Sequence, residues 1–411
     1  MYRKLTKSIS MYAGLPHSVY YIAIARAILG MGNFIIPFLV LLLTEKLGYS
    51  ATVAGSLAML VTAAFLMGGF IGGKLSDHFG HKRVMVVGEG VGSLFLMICG
   101  FYPESVTLVP TLLLMAYFCL GIALPASNAL VADLSSPTNR DAVISLSYLT
   151  YNLGSAVGPI IAGYLFWAHT RWIYWGNGIA TLVGIAVVAM LVKVPQIEHA
   201  IGNSDLEKPV EGTVWSVLRE RPRLIVFTLL CGLLWFALNQ MTMASPLYLS
   251  ALYGADGPVI FGQLMTFACV VVVILTPWLI TLTSSKTETM SLVYAGFMFA
   301  LGYALIMGAS NIPVIFVAWF FLSAGEVLLL TKEGVYLANQ SPVSHRGRIQ
   351  GVLMTMRSVL LMPSFILVGY SIDKFGYEFT WYGVILVALL AVAGFIRMNG
   401  KEKPSREKVC L

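Results

Sequence analysis

A few charged residues stand inside otherwise apolar segments of this chain. Arg26 lies in the first such segment, Glu89 in the third, Glu326, Lys332 and Glu333 in the tenth and Arg357 in the eleventh, while Asp133 closes the fourth. A charge in hydrocarbon costs about 2.5–3.5 kcal/mol on insertion scales, so each of these positions is a functional candidate. Glu326 is the sharpest, sitting mid-segment in FFLSAGEVLLL with no charged neighbour within five residues. An isolated carboxyl there takes up and releases a proton more readily than it holds a permanent charge, which is what proton coupling requires. The alternative is a structural acid hydrogen-bonded between helices. Glu333, seven residues on, shares a helical face with Glu326 about 10 Å away. It is expected to relay protons or to pair with Arg357 or Lys332. Asp133 is the third candidate acid. Arg26 and Arg357 are expected charge partners, with snorkelling to the lipid interface the alternative for Arg26.

The segments that must hold these residues fill nearly the whole chain. Of 411 residues, 58% are hydrophobic and only 11% charged, against about 25% charged in soluble domains. Apolar stretches of about 20 residues each read as membrane-spanning helices. Twelve are expected, at roughly 19–43, 51–73, 84–102, 107–132, 142–168, 171–193, 223–250, 258–283, 289–309, 312–338, 348–370 and 378–398. A barrel would show short alternating segments instead. The fold class is therefore an all-α membrane protein of twelve transmembrane helices in two pseudo-symmetric six-helix halves. The expected division is residues 1–193 and 223–398, with a polar linker at 194–222 and a tail at 399–411. A weak repeat supports it: SPTNRDAVISL from Ser136 and SPVSHRGRIQGV from Ser341 align Arg140 with Arg346.

With twelve spans, one side collects 20 of the 26 Lys and Arg, and the opposite loops hold only Lys46, Arg171 and Lys374. The positive-inside rule then places both termini in the cytoplasm, in a plasma-membrane protein. The net charge of +7 marks topology and contact with membrane lipids, not a nucleic acid. The basic first 18 residues run into a segment too long for a signal-peptide core. Five cysteines show no metal or disulfide spacing, and no metal or cofactor is expected. The six histidines fall in loops or near helix ends.

Two motifs carry more. GGKLSDHFGHKR, from Gly72, sets Gly73, Asp77, Gly80, Lys82 and Arg83 in the order G-x-x-x-D-x-x-G-x-[KR]-[KR]. Arg140 and Asp133 are expected to complete its charge network. In the fifth span, LGSAVGPIIAG carries Gly154, Gly158, Pro159 and Gly163, small residues for close helix contact with a proline that permits a kink. Cavity candidates are Asn33, Asn128, Tyr151, Asn152, Trp235, Asn239, Gln240, Met241, Met243 and Gln263; Met and aromatic linings adapt to several apolar ligands.

The loop at Gly73–Arg83 resembles the signature between helices two and three of major facilitator superfamily transporters. The fifth-span pattern resembles the antiporter motif of that superfamily. Together with ARAILG around Arg26, NALVADLSSPTNR, SAGEV around Glu326, and Arg357, the layout is similar to bacterial twelve-span drug/proton antiporters of the lactococcal multidrug type. It departs from that type at Ser147 and Thr242, where acids are expected. The resemblance implies alternating access, a conformational latch at Asp77, and proton-coupled export of lipophilic small molecules by a monomer. No G-x-x-x-x-G-K-[ST] loop is present, so neither ATP hydrolysis nor another enzymatic activity is expected. The rival expectation is a lipid flippase or lysolipid transporter of the same fold.

Overall fold

The computed structural model describes residues 12–136, 139–194, 219, 221–309, 311–340 and 346–400. The predicted linker from 195 to 218, the second copy of the repeat at 341–345 and the tail from 401 lie outside them. The regular structure among the described residues is all helical, with no strand. In chain order the helices are α1 (His17–Met31), α2 (Ile35–Leu41), α3 (Ala51–Phe79), α4 (His81–Phe101), α5 (Leu108–Asp133), α6 (Arg140–Ser155) and α7 (Gly158–Leu165). They continue as α8 (Thr170–Leu191), α9 (Pro222–Asn239), α10 (Ala244–Tyr253), α11 (Gly257–Leu282), α12 (Glu288–Met307), α13 (Ile312–Gln340) and α14 (Arg346–Asn399).

Among the described residues, nine helical runs are long and apolar enough to cross a membrane. Two of them are far longer than one crossing: Pro222–Leu282 covers 61 residues and Gly351–Asn399 covers 49, where about 20 suffice. The second is interrupted at Gly376, whose φ of +80° no helix adopts. The predicted fifth span is broken instead of continuous. Pro159 has no N–H to donate, so α6 ends at Ser155 and α7 restarts at Gly158. The first span also breaks, between α1 and α2, and Asn177 of α8 repairs the gap by accepting from the Ile35 N–H at 3.3 Å.

The chain divides into two compact units, Met1–Ala200 with Pro246–Cys269, and Ile201–Ser245 with Val270–Leu411. Most of α10 and the first half of α11 thus group with the first unit. Within it, α3 and α4 pack on α5, α4 on α8, and α1 on α6 and α8. Helices equally apolar all round gain little from hiding surface in lipid, so close backbone approach has to hold them. A Cβ at Gly72 would overlap Ile122 of α5, one at Gly121 would overlap Phe65 of α3, and one at Gly154 of α6 would overlap the Ala27 carbonyl of α1. In the second unit α12 packs on α13 and α14, and α9 on α14. Aromatic stacking adds to the packing there: the Phe227 and Tyr336 rings lie 3.8 Å apart, centroid to centroid.

Candidate functional site

Three helices of the second unit converge on one carboxylate. Glu333 projects from α13, only 6% exposed. Arg357 of α14 donates through Nη1 to Oε1 at 2.7 Å and to Oε2 at 2.8 Å. Trp235 of α9 donates its indole N–H to Oε2 at 2.8 Å. The Arg357 guanidinium also lies over the Trp235 ring, 4.1 Å from its centroid, where the π face attracts a cation. The charge of Glu333 is thereby neutralised and both its oxygens are satisfied. Of the two roles expected for Glu333, pairing is the one this geometry displays. Trp235, expected to line a cavity, is a member of this cluster.

Glu326 stands two turns along α13. It is half-buried and makes no hydrogen bond or ion pair with any described residue. Tyr303 of α12 lies within electrostatic range, but its hydroxyl donates to the Ala237 carbonyl at 2.6 Å. A phenol has one proton to give, so none is left for Glu326. One helix therefore carries a compensated acid and an uncompensated one, about 10 Å apart along its axis.

The first unit holds a looser cluster. Arg26 of α1 donates through Nη2 to Asn128 Oδ1 of α5 at 3.0 Å, so it faces a partner helix and does not snorkel to lipid. Glu89 of α4 and Tyr151 of α6 lie within electrostatic range of it. Arg26 Nε and Glu89 Oε2 are buried with no hydrogen-bond partner among the described residues.

At the turn between α3 and α4 the structure revises the expected charge network. Gly80 takes φ +88°, which ends α3 and allows the sharp turn. His81 is the hub: its Nδ1 lies 2.6 Å from Asp133 Oδ2 and its Nε2 4.0 Å from Asp77 Oδ1. Asp133, expected as a proton-coupling acid, is thus paired with His81. Lys82 is a correction. Its ammonium donates to the Ala189 and Val192 carbonyls at 2.9 and 2.8 Å, capping the C-terminal end of α8, where unpaired carbonyls and the helix dipole favour a cation. Arg140 Nε reaches Ser135 Oγ at 3.3 Å, and Arg83 lines an apolar cavity of about 550 Å³ with Phe79, Val87 and Ile122. A Cβ at Gly73 would meet nothing within 4 Å, so Gly72 and not Gly73 is the glycine that packing requires.

The motif residues of the fifth span do meet a neighbour. A Cβ at Gly163 would approach the Pro258 carbonyl oxygen to 2.7 Å, one at Gly158 the Met31 oxygen to 2.7 Å, and Gly262 of α11 rests on the Pro159 carbonyl. The remaining cavity candidates separate. Gln240, Met241 and Met243 are buried, and Gln240 Nε2 bonds back to the Phe236 carbonyl at 2.8 Å. Asn152 Nδ2 likewise bonds to its own helix, through the Tyr148 carbonyl at 2.8 Å. Asn33, Tyr151, Asn239 and Gln263 remain partly accessible. The roles of His81 and Asn177 escape a reading of the sequence, because a histidine beside a glycine turn and an asparagine in an apolar run carry no local mark of their partners.

The Major Facilitator Superfamily pattern matches residues 22–362. The chain is 24% identical over 335 residues to the MFS-type transporter YqjV of Bacillus subtilis (strain 168), covering 77% of each chain. It is 22% identical over 395 residues to a Na(+), Li(+), K(+)/H(+) antiporter of Planococcus maritimus, covering 88% of this chain and 90% of that protein. It is 25% identical over 246 residues to the multidrug resistance protein MdtH of Edwardsiella ictaluri (strain 93-146), covering 58% of each. Among solved structures, the crystal structure of the nucleoside transporter NupG superposes with a TM-score of 0.77 at 12% identity, over 94% of this chain and 100% of that one. The chain belongs to the major facilitator superfamily, a family of multi-pass membrane transporters of small molecules and not of enzymes.

Proposed function

We propose that this protein is a proton-coupled exporter of hydrophobic or amphipathic small molecules, working by alternating access in the cell membrane. It has twelve spans in two six-helix halves, and both termini are cytoplasmic. The observation that carries this reading is the pair of acids on α13: Glu333 neutralised by Arg357 and Trp235, and Glu326 without a hydrogen-bond or ion-pair partner among the described residues. An uncompensated carboxyl in a membrane helix is stable when protonated and gives up its proton when water or a cationic ligand reaches it. Counting the runs of 61 and 49 residues as two crossings each brings the nine runs to eleven, and the broken fifth span, α6 with α7, supplies the twelfth. The relatives named as a multidrug resistance protein and a cation/proton antiporter are consistent with exchange.

The test is transport in vesicles with and without an imposed pH gradient, using a lipophilic dye as the probe. Glu326→Gln keeps the shape of the protonated acid. It is expected to abolish gradient-driven accumulation while expression and downhill exchange survive. Full coupling in this variant would refute the role of Glu326. Potassium- or sodium-driven proton movement without dye transport would favour cation/proton antiport instead.

A further inference from the structure

Besides its apolar cavity, the first unit has a polar one, at the end away from His81 and Lys82. It encloses about 210 Å³ between the end of the first span, the α4–α5 turn and the start of α8. Lys46, Glu104, Trp167, His169, Arg171 and Trp172 line it. Only three Lys or Arg lie in the chain's sparsely charged loops, Lys46, Arg171 and Lys374, and two of them share this cavity. Lys46 is held in place, with its ammonium 3.2 Å from the Trp167 carbonyl, 4.5 Å from the Trp167 ring centroid and 5.3 Å from that of Phe166. Those contacts occupy part of its donor capacity and aim the remainder. Arg171 makes no hydrogen bond or ion pair with any described residue. The first turn of α8 also has no side-chain cap.

We infer that this cavity binds a phosphate group, either that of a phospholipid headgroup or free phosphate. A phosphate has enough acceptor oxygens to engage a lysine and an arginine at once, and arginine forks onto it in bidentate fashion. Two tryptophans at a helix end are the residues that settle at the depth of lipid headgroups. Glu104 is the only acid among the described lining residues, within electrostatic range of Lys46, and it opposes an anion. That opposition gives the inference a sign that a structural role for the lysine and arginine does not share.

Native mass spectrometry of the purified protein tests it with dihexanoyl phosphatidylglycerol, dihexanoylglycerol lacking the phosphate, and inorganic phosphate as competitor. One phosphatidylglycerol is expected to be retained and the phosphate-free lipid not. Lys46→Gln with Arg171→Gln should weaken retention roughly tenfold, the scale of losing charge-assisted bonds to one anion, while Glu104→Gln should tighten it. Competition by inorganic phosphate assigns the site to free phosphate as well, and its absence assigns it to the lipid. Equal retention by wild type and the double variant, equal retention of the phosphate-free lipid, or weaker binding in Glu104→Gln would overturn the inference. The Glu104→Gln arm keeps the test decisive should the double variant fail to fold.

Discussion

Arg357→Met removes both hydrogen bonds from Nη1 to Glu333 and leaves the carboxylate with the Trp235 indole alone. Glu333 is 6% exposed, so water cannot replace the lost guanidinium. Breaking one partner of a buried pair costs about 3–5 kcal/mol, because the other charge is stranded. At about 2–4 °C per kcal/mol for a unit of roughly 150–250 residues, the thermal midpoint of the detergent-purified protein should fall on the order of 10 °C. Glu333→Met in the same background removes the stranded charge. The double variant should then recover to within about 1 kcal/mol of wild type, since apolar replacement of a whole buried pair is often neutral. The assay is a double-mutant cycle read by thermal denaturation, with fluorescence size-exclusion to count the surviving fold. Strictly additive losses, with the double variant lower than either single, would refute the reasoning, because the two residues would then contribute independently.

Other outcomes follow from the same geometry. Gly154→Val places its Cβ onto the Ala27 carbonyl, and within 2.8 Å of the Met31 nitrogen, so folded yield should collapse, whereas Gly73→Ala, which meets nothing within 4 Å, should purify like wild type. Lys82→Met strips the cap from α8 and should lower stability by about 0.5–1 kcal/mol, visible as a small drop in thermal midpoint with transport retained. Asp77→Asn should slow transport while ligand binding stays nearly unchanged; loss of binding as well would contradict a latch role.

Features that depend on local composition are legible in the chain before it folds. Runs of apolar residues about 20 long dictate membrane helices, because a backbone in hydrocarbon has to satisfy its hydrogen bonds internally. Pro159 marks a break in the fifth span and Gly80 a turn after the second, since each acts on its own backbone whatever surrounds it. The rare charges in those runs form a short list for the same reason: each is costly wherever the helix lies. Partnership is not legible in this way. Glu326 stands out in the sequence as the more isolated of two acids on one helical face, but whether Glu333 relays protons or pairs is left open until Arg357 arrives from α14 and Trp235 from α9. Lys82 reads as part of a charge network until the end of α8, over a hundred residues away, supplies two carbonyls, and His81 acquires its role only when Asp133 comes within 2.6 Å. Helix formation is settled by interactions within a few residues, whereas the neutralisation of a charge depends on which distant helix packs beside it, a choice made by close backbone contacts at glycines such as Gly72 and Gly154.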